Sequence, residues 1–176
     1  VGGGVNYFSL MSYYLASPVN FLSVFIPADW LREFLMFSVA LKIALGGAFT
    51  AYFFKSVYKR NDVSLIMFAC CFSFCAYFMG YYWNTIWMDT VCITPLVALG
   101  TVKLLTENRF RLYTVTLGLS LITNYYIGFF TCIFILLIFI CYHITRWHGV
   151  RAFAANLLKF GVFTVLGIGL TAFFVL

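Results

Sequence analysis

Six long apolar runs, joined by turns that are alternately basic and free of any Lys or Arg, leave this chain a lipid bilayer as its place to fold. Nine of the eleven Lys and Arg residues fall in three short stretches between apolar runs. They are Lys55, Lys59 and Arg60, then Lys103, Arg109 and Arg111, then Arg146, Arg151 and Lys159. The intervening stretches, around 81–89 and 123–128, carry none. Such alternation is the positive-inside signature of a polytopic membrane protein, with the basic turns in the cytosol. Charged residues make up 9% of the chain and hydrophobic ones 64%, against roughly 25% charged in soluble domains. The net charge of +6 comes with no basic stripe or RNA-binding signature, so nucleic acid is not an expected partner. Membrane lipids with anionic headgroups are the expected counter-charge.

A spanning helix needs about 20 apolar residues, and the candidates are 31–54, 63–80, 89–105, 110–124, 125–143 and 158–176. The predicted fold is therefore all-α, a transmembrane helical bundle with about six spans. The fourth candidate is short and predicts a tight hairpin with the fifth, turning at Asn124-Tyr125-Tyr126 near the outer surface. Residues 1–30 form a separate unit. Tyr7, Phe8, Met11, Tyr14 and Leu15 follow helical spacing. Ser17-Pro18 reads as an N-cap with Pro at the first helical position, opening a second short helix up to Pro27. Neither piece is long enough to span, and both suit helices lying in the outer interface. Asp29 is expected to cap the first span, with Trp30 at headgroup depth. Residues 31–176 form the bundle. The chain begins without Met or a signal peptide and stops inside an apolar run, so a longer protein is expected.

Several motifs carry no chemistry. Gly2-Gly3-Gly4 is not followed by Gly-Lys-Ser/Thr and is no phosphate loop. Cys70, Cys71, Cys75, Cys92, Cys132 and Cys141 make no CxxC pair and no zinc spacing with His143 or His148. They read as small buried hydrophobes. The two His residues suit the negative C-terminal end of a helix.

Lys42 is the most unusual side chain, set inside the first span, where an unpaired cation costs on the order of 2–3 kcal/mol. It either snorkels or pairs with another helix, or it meets the phosphate of a lipid-linked substrate. The loop Tyr81-Tyr82-Trp83-Asn84-Thr85-Ile86-Trp87-Met88-Asp89 is the densest polar and aromatic cluster. Its rings form an interfacial belt or a stacking platform for sugar, with Asn84 supplying hydrogen bonds. Asp89 is a helix N-cap or a carboxylate in an outer cavity, serving as base, metal ligand or sugar contact. Asn124, Tyr125 and Tyr126 make a second polar and aromatic spot on the same face. There Asn124 either satisfies the turn backbone or joins the cavity. A divalent metal at Asp89 stays open, since one carboxylate is a thin site.

Residues 2–22, from Gly2-Gly3-Gly4-Val5-Asn6-Tyr7 to Ser17-Pro18-Val19-Asn20-Phe21-Leu22, resemble the first-loop segment of bacterial YfhO-like membrane proteins. Leu41-Lys42-Ile43-Ala44-Leu45-Gly46-Gly47 is similar to the helix that follows it there. Ile86-Trp87-Met88-Asp89 through Pro95-Leu96-Val97-Ala98-Leu99-Gly100 resembles that family's outer-loop Asp and next helix, and Asn124-Tyr125-Tyr126-Ile127-Gly128 a further motif. The resemblance spans residues 2–128. It implies a GT-C-type glycosyltransferase that moves a sugar from a polyprenyl-phosphate donor to a cell-envelope polymer such as teichoic acid. The reaction would lie at the outer face of the bacterial plasma membrane. It places the catalytic Asp before residue 1, so no residue here takes that role and the fragment alone is expected to be inactive. By the same resemblance Lys42 is a candidate lipid-phosphate contact. Asn84, Asp89 and Asn124 are candidate polar groups of the cavity, and Trp87, Tyr125 and Tyr126 its walls. A lipid or solute transporter, or a non-catalytic membrane scaffold, is the rival reading.

The topology makes a direct prediction. A membrane-impermeant reagent added to intact cells labels probes placed at 81–89 and spares probes at Lys59 or Arg109. Labelling of 81–89 from the cytosolic side alone would invert the arrangement.

Overall fold

The apolar runs form helices because nothing within them interrupts the backbone ladder except one proline and one break, and in hydrocarbon every backbone polar group must be satisfied internally. The computed structural model describes Gly4, residues 16–147 and residues 149–172. The helix expected over 7–15, and His148, lie outside the described residues. Eight α-helices follow among them: α1 (Pro18–Phe21), α2 (Leu31–Tyr58), α3 (Ser64–Ser73), α4 (Ala76–Gly80), α5 (Thr85–Glu107), α6 (Arg111–Thr123), α7 (Tyr125–Thr145) and α8 (Val150–Gly169). No strand occurs among the described residues, and the chain is an all-α membrane bundle.

Helix ends follow the local chemistry. Ser17 caps α1 by accepting from the Asn20 amide at 3.3 Å, with Pro18 at the first position. The expected short helix to Pro27 is only this turn, continued by a 3-10 turn over Leu22–Phe25. Asp29 does not cap α2: it lies in a 3-10 turn, Ala28–Trp30, and Trp30 occupies the cap position without a side-chain bond. α2 and α5 each stop at a left-handed residue, Lys59 (φ 53°) and Asn108 (φ 55°).

The six expected segments all appear, but only four are long and apolar enough to span: 28–58, α5, α7 and α8. The run 63–80 breaks between α3 and α4, where Cys75 is extended. At 13 residues, α6 is about 20 Å long, short of the hydrocarbon core of about 30 Å. The last span starts at Val150, not at 158. Charge keeps Arg151 and Lys159 out of a hydropathy window, yet a helical backbone accepts both, Arg151 exposed and Lys159 donating to Asn108 Oδ1 at 2.6 Å.

Helix α5 is the axis of the bundle, flanked by α2, α6 and α7, and most of its span is buried in protein. Ile93, Val97, Leu104 and Leu105 of α5 pack with Tyr113, Leu117 and Leu121 of α6, Ile135 and Phe139 of α7, and Phe160 of α8. Large apolar side chains also cover the outside, as on α7, where Phe129, Phe130, Phe134 and Leu137 are exposed. In water that surface would aggregate; in lipid it faces a matching solvent. The cysteines follow this inversion. Only Cys92 is buried, Cys75 and Cys132 are half-buried, and Cys70, Cys71 and Cys141 are exposed, all as free thiols. Small apolar groups are equally at home against protein and against lipid, so cysteines expected as apolar groups in a membrane occupy both settings.

Close approach between helices depends on small residues, as is usual in membranes. A Cβ added at Gly100 of α5 would lie 2.6 Å from Tyr113 Cα and 2.7 Å from Tyr113 N, so the backbones touch there. One at Gly161 of α8 meets nothing within 4 Å. Gly100→Ala is expected to destabilise the purified protein by about 1–3 kcal/mol, with Gly161→Ala close to neutral. Denaturation in a mild detergent measures both.

Candidate functional site

The buried face of α2 is polar and small throughout: Ser38, Lys42, Gly46, Gly47 and Thr50, spaced mostly four apart. Four-residue spacing keeps them on one side of the helix, which faces α5 and α3. The bulky residues beside them, Met36 and Phe37, point outward. This stripe sends Lys42 into the protein.

Lys42 Nζ donates to Asp89 Oδ2 at 2.7 Å and to the Thr85 carbonyl at 3.0 Å. The two side chains are 1% and 6% exposed. Asp89 is therefore not a helix N-cap: α5 begins at Thr85, with Asn84 at the cap position, and Asp89 lies in its second turn. The extra turn is legible in hindsight, since Thr85 to Met88 contains no breaker. An ammonium has three donors, and two have partners here.

The next residue turns the other way. Thr90 Oγ1 donates to the Ser120 carbonyl at 3.2 Å and lies 3.0 Å from Thr123 Oγ1. Thr123 leads into Asn124, whose Oδ1 accepts from the Ile127 amide at 3.0 Å and caps α7. The expected three-residue turn is thus one residue, and Tyr125 and Tyr126 belong to the first turn of α7. Asn124 is fully buried, and its Nδ2 has no hydrogen-bond partner among the described residues. Trp87 packs against Tyr126 with ring centroids 5.9 Å apart, and Trp87 Nε1 likewise lacks a partner.

The candidate residues so gather around the first turns of α5, though on different sides of it. Lys42 and Asp89 meet directly. Asn124 reaches the same level through Thr90 and Thr123, and Trp87 through Tyr126. Tyr125 and Tyr126 also line an apolar groove of about 580 Å³ with Leu121, Phe129, Cys132 and Ile168. Asn84 is half-buried and contributes its carbonyl to the Trp87 amide at 3.2 Å. Sequence reasoning missed Ser38, Thr85, Thr90, Ser120 and Thr123. Ser38 was available from the four-residue stripe, but the hydroxyls of α5 and α6 resemble any others in a membrane helix. No group of three metal-binding side chains occurs among the described residues. At Asp89 the Lys42 ammonium already neutralises the carboxylate, which opposes a divalent cation there.

A sequence model of the family described as "Bacterial membrane protein YfhO" matches residues 1–176, the whole chain. No curated protein and no solved structure matches.

The pair sets up a test. Lys42→Met or Asp89→Asn alone leaves one charge buried without its partner and is expected to cost about 3–5 kcal/mol, whereas the double replacement recovers most of that loss. Denaturation of the four proteins in detergent gives the coupling; additive losses would mean that the pair does not hold the fold.

Proposed function

The chain belongs to the YfhO family of bacterial membrane proteins, and from that membership we propose that the full-length protein is a GT-C-type glycosyltransferase. It transfers a sugar from a polyprenyl-phosphate donor to a cell-envelope polymer such as teichoic acid, at the outer face of the plasma membrane. The observation that carries this reading is the position of the buried polar groups. Lys42 and Asp89 on one side of α5, and Thr90, Thr123 and Asn124 on another, lie at one level near its start, at the end of the bundle away from its basic turns.

The chemistry needs a cation where charge develops. As the acceptor oxygen bonds to the anomeric carbon, the bond from that carbon to the phosphate oxygen breaks. The leaving phosphate takes up the electron pair, and a base takes the acceptor's proton. Asp89 and the Thr85 carbonyl fix the Lys42 ammonium, and its remaining N–H is suited to the leaving phosphate. Asp89 is then a positioning residue. No residue described here is assigned as the base. Trp87 and Tyr126 offer ring faces for a sugar.

The test supplies the full-length protein, reconstituted in vesicles, with radiolabelled polyprenyl-phosphate sugar and teichoic acid. Labelled polymer is expected from the wild type, with at least a hundredfold loss in the folded Lys42→Met/Asp89→Asn variant. Absence of transfer by the wild type across donors and acceptors overturns the enzyme reading. Equal rates in the variant overturn the role given to the pair.

A further inference from the structure

The opposite end of the bundle holds a second built feature. The turn between α5 and α6 closes a pocket of about 480 Å³ lined by Tyr52 of α2, Lys103 of α5, and residues 108–112, among them Arg109, Phe110 and Arg111. Three of these seven residues, Lys103, Arg109 and Arg111, are cationic, and the walls are part polar and part apolar. Neither Lys103 nor Arg111 makes a salt bridge among the described residues. Of the three, Arg109 is ion-paired, with Glu107 at 3.3 Å, and that pair is well exposed. Lys103 instead rests over the Tyr52 ring, 5.5 Å from its centroid, a contact that leaves its N–H groups free of a carboxylate partner.

The pocket is held in shape from two sides. Asn108, in its left-handed conformation, accepts at Oδ1 from Lys159 of α8 at 2.6 Å. Phe110 stacks on Phe163 of α8, with centroids 4.5 Å apart and planes 4° from parallel. The amides of Asn108 and Arg109 both fold back onto the Lys103 carbonyl, closing the C-terminus of α5. Helix α6 then begins at Arg111 with no side chain capping its first-turn amides. Those amides form the positive end of a helix dipole, which favours an anion. Two unpaired cations and an uncapped helix start thus meet in one fixed pocket, at the depth where α2 and α5 leave the apolar zone.

We propose that this pocket binds the phosphodiester headgroup of an anionic membrane phospholipid. The phosphate sits between Lys103, Arg111 and the first amides of α6, with Arg109 at the rim. The acyl chains run along the apolar outer faces of the helices. A lipid fits better than a soluble anion because the pocket opens beside lipid-facing surface: Tyr52 and Phe110 are both exposed at its edge. Basic pockets between spanning helices on the cytoplasmic side are a recognised setting for anionic headgroups, and each basic residue near such a surface is worth about fivefold in binding.

The experiment uses the full-length protein in nanodiscs or detergent, with phosphatidylglycerol and phosphatidylcholine as probes and binding read by native mass spectrometry. The wild type is expected to retain phosphatidylglycerol and to release phosphatidylcholine. Lys103→Gln/Arg111→Gln is expected to weaken phosphatidylglycerol retention about thirtyfold. The control Arg146→Gln/Arg151→Gln removes the same charge elsewhere on the basic end and leaves retention within about twofold. Thermal melting of each variant in detergent shows that the fold survives. Equal retention of both lipids overturns the proposal, as does equal loss in the two double variants. Displacement of the bound lipid by millimolar inorganic phosphate would assign the pocket to a soluble anion instead.

Discussion

Between two helices in hydrocarbon the lipid tails are as apolar as the side chains, so burial of apolar surface does little to join them. What ties α2 to α5 is the Lys42–Asp89 pair, backed by the Thr85 carbonyl. A buried pair of this kind is weak evidence for stability, because desolvation offsets much of its Coulomb attraction. It is strong evidence for register. Lys42 meets its partner at one height and one rotation of α2, and sliding the helix by a turn would strand both charges. The rest of the α2 stripe follows from that register. Gly46 and Gly47 lie where Phe72, Phe78 and Ser73 come close, and Ser73 Oγ donates to the Ile43 carbonyl at 3.3 Å.

With α2 fixed, α5 becomes the reference for everything else. Its contact with α6 is made at the backbone, through Gly100 and Tyr113. The Tyr113 hydroxyl then reaches Thr164 of α8 at 2.6 Å. Each interhelical link thus combines a small residue, which permits approach, with a polar bond, which selects a partner. Pro95 sits within α5 and removes one ladder bond, yet the helix continues because its neighbours enclose it.

How much of this was legible in the sequence differs by level. The helical class, the apolar segments and the basic turns followed from hydropathy and charge alone, because lipid imposes few alternatives. The Ser17 cap and the Asn124 turn were readable because short polar side chains there have a local task. Span lengths were misjudged where a charge lies on a helix, as at Lys159, and where a run breaks without Pro or Gly, as at Phe74-Cys75. The pairing of Lys42 with Asp89 was not specified, although Lys42 is the one cation deep inside the first run and Asp89 the one acid in the third. Asp89 had the local reading of a cap, and only the tertiary placement of α2 decides against it. Cysteine and aromatic burial was the least legible, since in a membrane the hydrophobic side of a helix is not its inner side.

The short length of α6 gives the polar layer its depth. Gly100 and Tyr113 fix one level of the bundle. From there Thr90 lies ten residues back along α5 and Thr123 ten residues on along α6, both about 15 Å higher. The two hydroxyls meet at 3.0 Å, so the helices run side by side over that distance. The α6–α7 turn closes there, while α5 continues for another turn and a half to Thr85. Asn124 and the Lys42–Asp89 pair are therefore recessed below the start of α5, not displayed at its tip. Irregular backbone at such depth is tolerated only inside protein or along a cavity, and the complete burial of Asn124 meets that condition. Under the proposed transferase reading, a substrate headgroup that reached Lys42 would leave water before doing so, and there the charge on a departing phosphate would depend most on a fixed cation.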